Sequence, residues 1–225
     1  MNPEITFRRA QMYRFLSDAF LYPQENWLTD LPALEPIVRE LGIEDLTLAV
    51  CELDELQSQY RHSLGLAGSM CYETEYGLPH EFRQSQELAD LAGFYHAFGF
   101  NVGGAVRERP DHLAAELEFM YALALKETYA AHNCLTEAVE ICADAQRKFL
   151  RDHLAHWIGL FAERVALNTP ASAYRALADF ANAFVRAEAV RLGVEIQTPP
   201  LAHVLPTPLG PDLSCGDCAL TETVE

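Results

Sequence analysis

An all-helical, single-domain bundle followed by an extended C-terminal tail is the fold that this 225-residue sequence predicts. Three observations predict it. Apolar residues recur at helical spacing from Met12 to Val185, and the alternation that marks strands is nearly absent. Capping and stopping residues bracket those runs, from Asn2-Pro3 at the start to Gly193 at the end. Beyond them come five prolines between Pro199 and Pro211 and no aromatic residue, a composition that does not build a packed core. The expected division is a helical domain over residues 1–194 and a proline-rich tail over residues 195–225 that holds a Cys-x-x-Cys pair.

The first helix opens on Asn2-Pro3-Glu4, a cap followed by proline and acid, and carries Met12, Phe15, Leu16, Ala19 and Phe20 until Pro23 stops it. A second spans about Thr29 to Leu41, with Leu31, Leu34, Ile37 and Val38 inward and Gly42 just past its end. The third is expected from about Glu44 to Leu64, with Leu46, Val50, Leu53, Tyr60 and Leu64 as its stripe. From Gly65 to Arg83 the periodicity fails, and Gly68, Gly77 and Pro79 mark a loop rich in aromatic and acidic residues. A loop of that length inside a compact helical domain is more often functional than idle.

Helical spacing returns with Leu88, Leu91, Ala92, Tyr95 and Phe98, and Gly99 ends it. A second loop passes through Gly103 and Gly104 to Pro110. The two irregular stretches flank one short helix and can therefore meet. The next helix is expected from Asp111 to Ala131, with Leu113, Leu117, Met120 and Tyr121 recurring at its spacing and Asp111 as its cap. A long helix from Thr136 to Leu167 follows, with Phe149, Leu150, Leu154, Trp157, Phe161 and Val165 inward. The last runs from Pro170 to Leu192 and buries Tyr174, Leu177, Phe184 and Val185. The count comes to some seven to nine helices.

Sixteen basic against 33 acidic residues give a formal charge of -17, which repels phosphate backbones and anionic lipid. Nucleic acid is excluded as a partner, and a basic peptide suits the charge. Arg8 and Arg9 sit inside an amphipathic pattern where a signal peptide would place an apolar core, and no stretch approaches the roughly 18 apolar residues of a membrane span. The chain is expected to be cytoplasmic. Cys51, Cys71, Cys134 and Cys142 are scattered and read as buried or idle thiols in a reducing compartment. Cys215 and Cys218 supply only half of a zinc site, with His203 or a second chain needed to complete it.

The segment Glu108-Arg109-Pro110-Asp111-His112, running into Glu116, Glu118 and Met120, gathers polar groups at the mouth of a buried helix. His112 and Glu116 stand one turn apart and share a face, so one reading is a helical metal-binding protein or metal-dependent hydrolase. That spacing alone supplies two ligands, and the paired Glu-x-x-His motifs of a di-iron bundle are missing. His153 and His156, on a mixed face of the long helix, read as packed or solvated rather than as ligands. No Gly-x-Ser-x-Gly elbow, activated cysteine or phosphate loop is present, so no catalytic residues and no cofactor are assigned.

The other reading is a peptide groove. Tyr72, Tyr76, Phe82 and Phe94 offer aromatic surface, and Glu73, Glu75, Asp111, Glu116 and Glu118 offer charge close to it in sequence. Burying about 400 Å² of apolar ligand surface yields roughly 10 kcal/mol before the costs of association, whereas an exposed Arg–carboxylate pair adds about 0.2–1 kcal/mol. Apolar contact would hold such a ligand and the acids would orient it. A solvated acidic face over a packed core fits the same spacing equally well.

Tyr72-Glu73-Thr74-Glu75-Tyr76-Gly77, Leu91-Ala92-Gly93-Phe94-Tyr95 with Phe98-Gly99-Phe100, and Glu108-Arg109-Pro110-Asp111-His112 with Glu116 and Met120 together resemble the TorD/DmsD/NarJ family of redox-enzyme maturation chaperones. The resemblance extends from Phe7 to Leu192 and takes in Phe149-Leu150, His153-Leu154, Trp157 and Phe161. It implies an all-helical protein, not an enzyme, that binds the twin-arginine leader or a related N-terminal segment of a molybdenum oxidoreductase's catalytic subunit. The client is held until its bis-molybdopterin guanine dinucleotide cofactor is inserted.

By position, the resemblance makes Asp111 and His112 the leading peptide-binding residues, with Tyr72, Tyr76 and Glu116 in support and Glu108 and Pro110 in the same motif. The Tyr72-to-Gly77 sequence is similar to the branch serving nitrate reductase-like, selenate, dimethyl sulfide or ethylbenzene enzymes. A monomer or a domain-swapped dimer is implied. The tail with Cys215 and Cys218 lies outside the resemblance.

Overall fold

The computed structural model describes residues 2–43, 48, 50–65, 71–76, 83–102, 108–169 and 171–197. It is all-helical over these residues. Asn2 caps α1 (Pro3–Ala19) by accepting the Glu4 amide at 3.0 Å, and Pro3 occupies the first turn, where its missing N–H costs nothing. A short 3-10 turn (Trp27–Asp30) leads into α2 (Leu31–Leu41), which ends at Gly42 in the left-handed region, φ 68°. Then come α3 (Leu53–Ser63), α4 (Arg83–Ala97), α5 (Leu113–His132), α6 (Thr136–Phe149), α7 (Ala155–Asn168) and α8 (Ala173–Leu192).

Four expected boundaries are corrected. The third helix begins at Leu53 rather than near Glu44, because Glu52 is extended (ψ 160°) and the Cys51 carbonyl accepts the Asn26 side-chain amide at 2.7 Å instead of serving a helical turn. Val50, expected on the inner stripe, is 77% exposed; Leu46 lies outside the described residues. The motif helix starts at Leu113 with His112, not Asp111, as its cap. The last helix starts at Ala173 behind a Ser172 cap, and Pro170 lies outside the described residues. The expected long helix is one helical run from Thr136 to Asn168, but a π-helical turn at Leu150–Leu154 separates α6 from α7. Such a turn shifts the register of α7 relative to α6 and keeps Leu150, His153, Leu154 and Trp157 all inward.

The core forms around the α1–α5 pair, the most extensive helix contact, with α6 against α5 and α8 against α7. Met12, Leu16 and Phe20 from α1 meet Phe119 and Met120 of α5, Phe149 of α6, Trp157 and Phe161 of α7 and Phe184 of α8, all essentially inaccessible to water. Phe20 and Phe161 meet edge to face at 5.5 Å, and Tyr13 meets Phe184 at 4.7 Å, both favoured aromatic geometries. After Gly193 the chain continues as Val194 and Ile196 packed on this core. The tail beyond residue 197, with His203, Cys215 and Cys218, lies outside the described residues. No helix among the described residues is long and apolar enough to cross a membrane.

One charge sits at the centre of the apolar frame. Arg9 of α1 is wholly buried and donates to both Glu188 oxygens at 2.9 and 2.8 Å, to Glu127 at 3.1 Å and to Gln146 at 2.6 Å, so that α1, α5, α6 and α8 share one guanidinium. Burial alone would raise the Glu188 pKa, but the charge and hydrogen bonds of Arg9, with Arg191 behind it, hold that carboxyl below its ordinary value. Losing the cation would leave the buried Glu127 without its ion pair and Glu188 with Arg191 alone. Arg9→Met is therefore expected to lower unfolding free energy by about 3–5 kcal/mol in urea titrations. A loss below about 1 kcal/mol, the scale of a surface pair, would contradict this role for Arg9.

Candidate functional site

The two irregular stretches do meet. Residues 71–73 run antiparallel to residues 111–113: the Glu73 amide donates to the Asp111 carbonyl at 2.8 Å, the Leu113 amide donates to the Cys71 carbonyl at 2.7 Å, and Tyr72 pairs with His112 between them. This pairing sets the start of α5. His112 turns its Nδ1 to accept the Ala114 amide at 3.1 Å, and its carbonyl accepts the amides of Ala115 and Glu116 at 2.8 and 3.1 Å. The donors that a helix start leaves open are thus satisfied inside the protein.

Asp111 lies beneath this bridge with no exposed surface. Its carboxylate accepts the Thr74 hydroxyl at 2.7 Å and is gripped by Arg109 through Nε at 3.0 Å and a terminal nitrogen at 2.8 Å. Arg109 also caps the Tyr72 ring face at 4.6 Å, and the Tyr72 hydroxyl donates to Glu108 at 2.9 Å. Tyr95 of α4 donates to the Pro110 carbonyl at 2.7 Å and fixes the turn from below. Loop 71–76, the motif and α4 are clasped by side chains whose polar atoms face one another.

A second buried layer joins the clasp to α7. The Glu73 carboxylate meets His153 Nδ1 at 3.1 and 3.2 Å, and Glu116 accepts the Trp157 indole N–H at 3.1 Å. Burial opposes a cation on His153, but the Glu73 hydrogen bond and the nearby Asp90 and Asp152 outweigh it and raise its pKa. Burial is also the main reason that Glu116 sits well above the ordinary carboxylate range, and the neighbouring Glu73 adds to it. Its burial thus favours the protonated form. His112 shifts the other way, since burial lowers its pKa despite Glu108 and Asp111. The Cys71 thiol is pushed up to about 12 by burial, which leaves it unreactive.

Of the seven motif residues singled out in the sequence, Asp111, His112, Glu116 and Tyr76 are buried, and Tyr72, Glu108 and Pro110 lie partly exposed along one edge. Tyr76 stacks at a tilt on Trp157, 5.1 Å between centroids. Glu73, expected to supply surface charge, is buried; Phe82 lies outside the described residues. His112 spends its Nδ1 on the helix cap and one Glu116 oxygen receives the Trp157 indole N–H. Among the described residues no group of three or more His, Cys, Asp or Glu side chains is placed to hold a metal. Thr74, Arg109 and Trp157 complete the arrangement; the sequence places Trp157 on a buried stripe and Thr74 and Arg109 within the motifs, but not their contacts with Asp111 and Glu116.

An apolar groove of about 970 Å³ lies between α4 and α6. Gly93, Phe94, Ala97 and Phe98 form one wall and Ile141 and Ala145 the other, with Asp90, Glu137 and Glu140 at the rim. Phe94, counted with the loop aromatics, belongs here, whereas Tyr72 and Tyr76 do not line it.

The described residues thus form an all-helical bundle with a buried polar clasp and an open apolar groove on one side. Residues 48–163 match the family described as nitrate reductase delta subunit. The selenate reductase assembly chaperone of Thauera selenatis is 31% identical over 85% of this chain and 92% of its own length. The perchlorate reductase assembly chaperone of Dechloromonas aromatica is 33% identical over 49% of each chain, and the TorD chaperone of Vibrio cholerae is 28% identical over 80% of this chain and 89% of its own. The chain belongs to the TorD/NarJ family of redox-enzyme maturation chaperones, whose members are chaperones and not catalysts.

The buried acid gives a signed pH prediction. Glu116 has a folded pKa above its unfolded value of about 4.3, so its stabilising contribution is complete below that pH and is lost as pH rises toward the folded value. His153, also raised, acts in the same direction above about pH 6.5. His112, lowered, acts oppositely and only as pH falls below about 6.5. Glu116→Gln keeps an acceptor for Trp157 and cannot ionise. It is expected to raise the unfolding temperature at pH 8 by about 2–4 °C, the shift that about 1 kcal/mol gives a chain of this size, with little change at pH 4.5. A lower unfolding temperature at pH 8 would contradict the raised pKa of Glu116.

Proposed function

We propose that this protein is a cytoplasmic, system-specific chaperone that binds the N-terminal, twin-arginine type segment of a molybdenum oxidoreductase's catalytic subunit. In this reading it assists maturation and cofactor insertion before export or assembly. Its relatives named for selenate, perchlorate and chlorate reductase assembly support a reductase client. The observation that carries the reading is the outer edge of the clasp, where the partly exposed Tyr72, Glu108 and Pro110 set an aromatic ring and a carboxylate side by side. That pairing suits an arginine-bearing peptide: the ring, one face of which Arg109 already covers, supplies apolar contact and the acid supplies charge-assisted hydrogen bonds.

The net charge of -17 favours encounter with a basic segment. Asp111, His112, Glu116 and Tyr76 hold this edge in place from beneath. Their buried positions make them positioning residues for the peptide, and their removal costs stability as well.

Titration calorimetry with a synthetic peptide bearing two adjacent arginines and an apolar stretch tests the reading. Wild type is expected to bind. Tyr72→Ala with Glu108→Gln weakens binding about tenfold, equivalent to about 1.4 kcal/mol, at little cost in stability. Asp111→Ala is expected to weaken binding and also to destabilise the fold by about 1–3 kcal/mol, because Arg109 and Thr74 lose their buried acceptor. No binding by wild type would contradict the function. Full affinity in the Tyr72/Glu108 variant would contradict the assignment of this edge.

A further inference from the structure

The groove between α4 and α6 is a second surface that the clasp does not explain. Its walls are apolar: Ile141 is 53% exposed, Phe94 and Phe98 are half-buried, and an isolated bundle gains nothing by leaving them in contact with water. Gly93 lies in the middle of α4, where glycine is unfavourable relative to alanine, and a Cβ built there would meet nothing within 4 Å. No internal contact demands glycine at that position. A gap of this kind in a groove wall lets a partner's backbone approach closely.

The rim charges are unbalanced, since Asp90, Glu137, Glu140 and Asp144 line the groove against Arg147 and Lys148. Asp144 is already occupied by Arg147 and Lys148, at 3.5 and 2.8 Å, whereas Glu137 and Glu140 are exposed and form no ion pair among the described residues. At the end nearer the clasp stands Asp90, 65% exposed, with the buried His153 Nε2 pointing at it across 3.4 Å without a hydrogen bond. His153 in turn holds Glu73, whose amide binds the Asp111 carbonyl. The groove and the clasp are therefore joined by direct contacts.

We propose that the α4/α6 groove docks the apolar part of the client's N-terminal segment as a helix, with basic residues other than those held at the Tyr72 and Glu108 edge turned toward Asp90, Glu137 and Glu140. This rests on the leader-binding function proposed above and adds the place where the apolar stretch is held. A helix laid against Gly93 and Ala97 covers Phe94, Phe98 and Ile141 together, and the acidic rim excludes acidic or uncharged helices by comparison. The carboxylates on the rim favour a cationic occupant over a second copy of this acidic chain or its own tail, whose residues 198–225 contain no Lys or Arg.

Gly93→Trp fills the groove without displacing any protein atom within 4 Å of the new Cβ, and Ile141→Asp places charge on the other wall. Calorimetry on the full-length variants with the paired-arginine peptide, alongside thermal unfolding and sedimentation, is the test. Both variants are expected to fold and to bind about tenfold or more weakly. Glu137→Lys with Glu140→Lys weakens binding mainly at low salt. Wild-type affinity in both Gly93→Trp and Ile141→Asp, with binding still lost on changing Tyr72 and Glu108, overturns the groove and leaves leader binding standing. Absence of peptide binding by wild type removes both. A changed oligomeric state in Gly93→Trp with unchanged peptide affinity overturns the proposal in favour of a contact between copies.

Discussion

The backbone pairing of residues 71–73 with residues 111–113 governs the rest of the functional half of this protein. Its two hydrogen bonds fix where α5 begins, place Asp111 under Thr74, and carry Glu73 to His153. A helix start buried in a protein needs partners for its open amides, and here they come from Cys71 and from the ring and carbonyl of His112. The acids of the motif are consequently turned inward. The outer edge formed by Tyr72, Glu108 and Pro110 reaches solvent and rests on the buried layer through the Tyr72–His112 pairing and the Tyr95 hydrogen bond to Pro110.

Two polar centres are set into one apolar frame. Arg9 gathers Glu127, Glu188 and Gln146 where α1, α5, α6 and α8 converge, and the Glu73, Glu116 and His153 group ties α7 to the clasp. Such groups are poor sources of net stability, because desolvation consumes most of what the charges return. They do punish alternative packings, in which any one of them would be left buried and unpaired. In a bundle of short amphipathic helices, several of which could exchange neighbours at little apolar cost, this selects one arrangement. The π turn at Leu150–Leu154 belongs to the same design, since it brings His153 to Glu73 while Trp157 reaches Glu116.

Much of the fold is legible in the sequence because helical periodicity survives wherever a stripe is buried. Met12, Leu16, Phe149, Trp157, Tyr174 and Phe184 all lie where that spacing puts them. Boundaries are less legible, since a cap depends on a tertiary partner: Asp111 suits a cap by its chemistry, but Arg109 and Thr74 take its carboxylate and His112 caps instead. Val50 matches the stripe of a helix that starts three residues later. The motif residues stand out in the sequence, and the side of the surface on which they lie does not. Glu73 and Glu116 look in sequence like solvated acids; their burial depends on His153 and Trp157, many residues away, and no local pattern reports that pairing. Arg9 looks like an ordinary helix-surface charge in α1 for the same reason.

Hydrogen exchange at the amides of Glu73 and Leu113 tests most directly whether the motif is a buried clasp. Glu73 opens a three-residue 3-10 turn and Leu113 is the first residue of α5, so each amide donates across the bridge to a carbonyl outside its own element, at 2.8 and 2.7 Å. Opening free energies within about 1 kcal/mol of those of Leu117 and Met120, in the buried turns of α5, are predicted, because the clasp should open only when the core does. Exchange of Glu73 and Leu113 at the rate of an unprotected loop, with Leu117 and Met120 still protected, would contradict the claim that this pairing holds the site together.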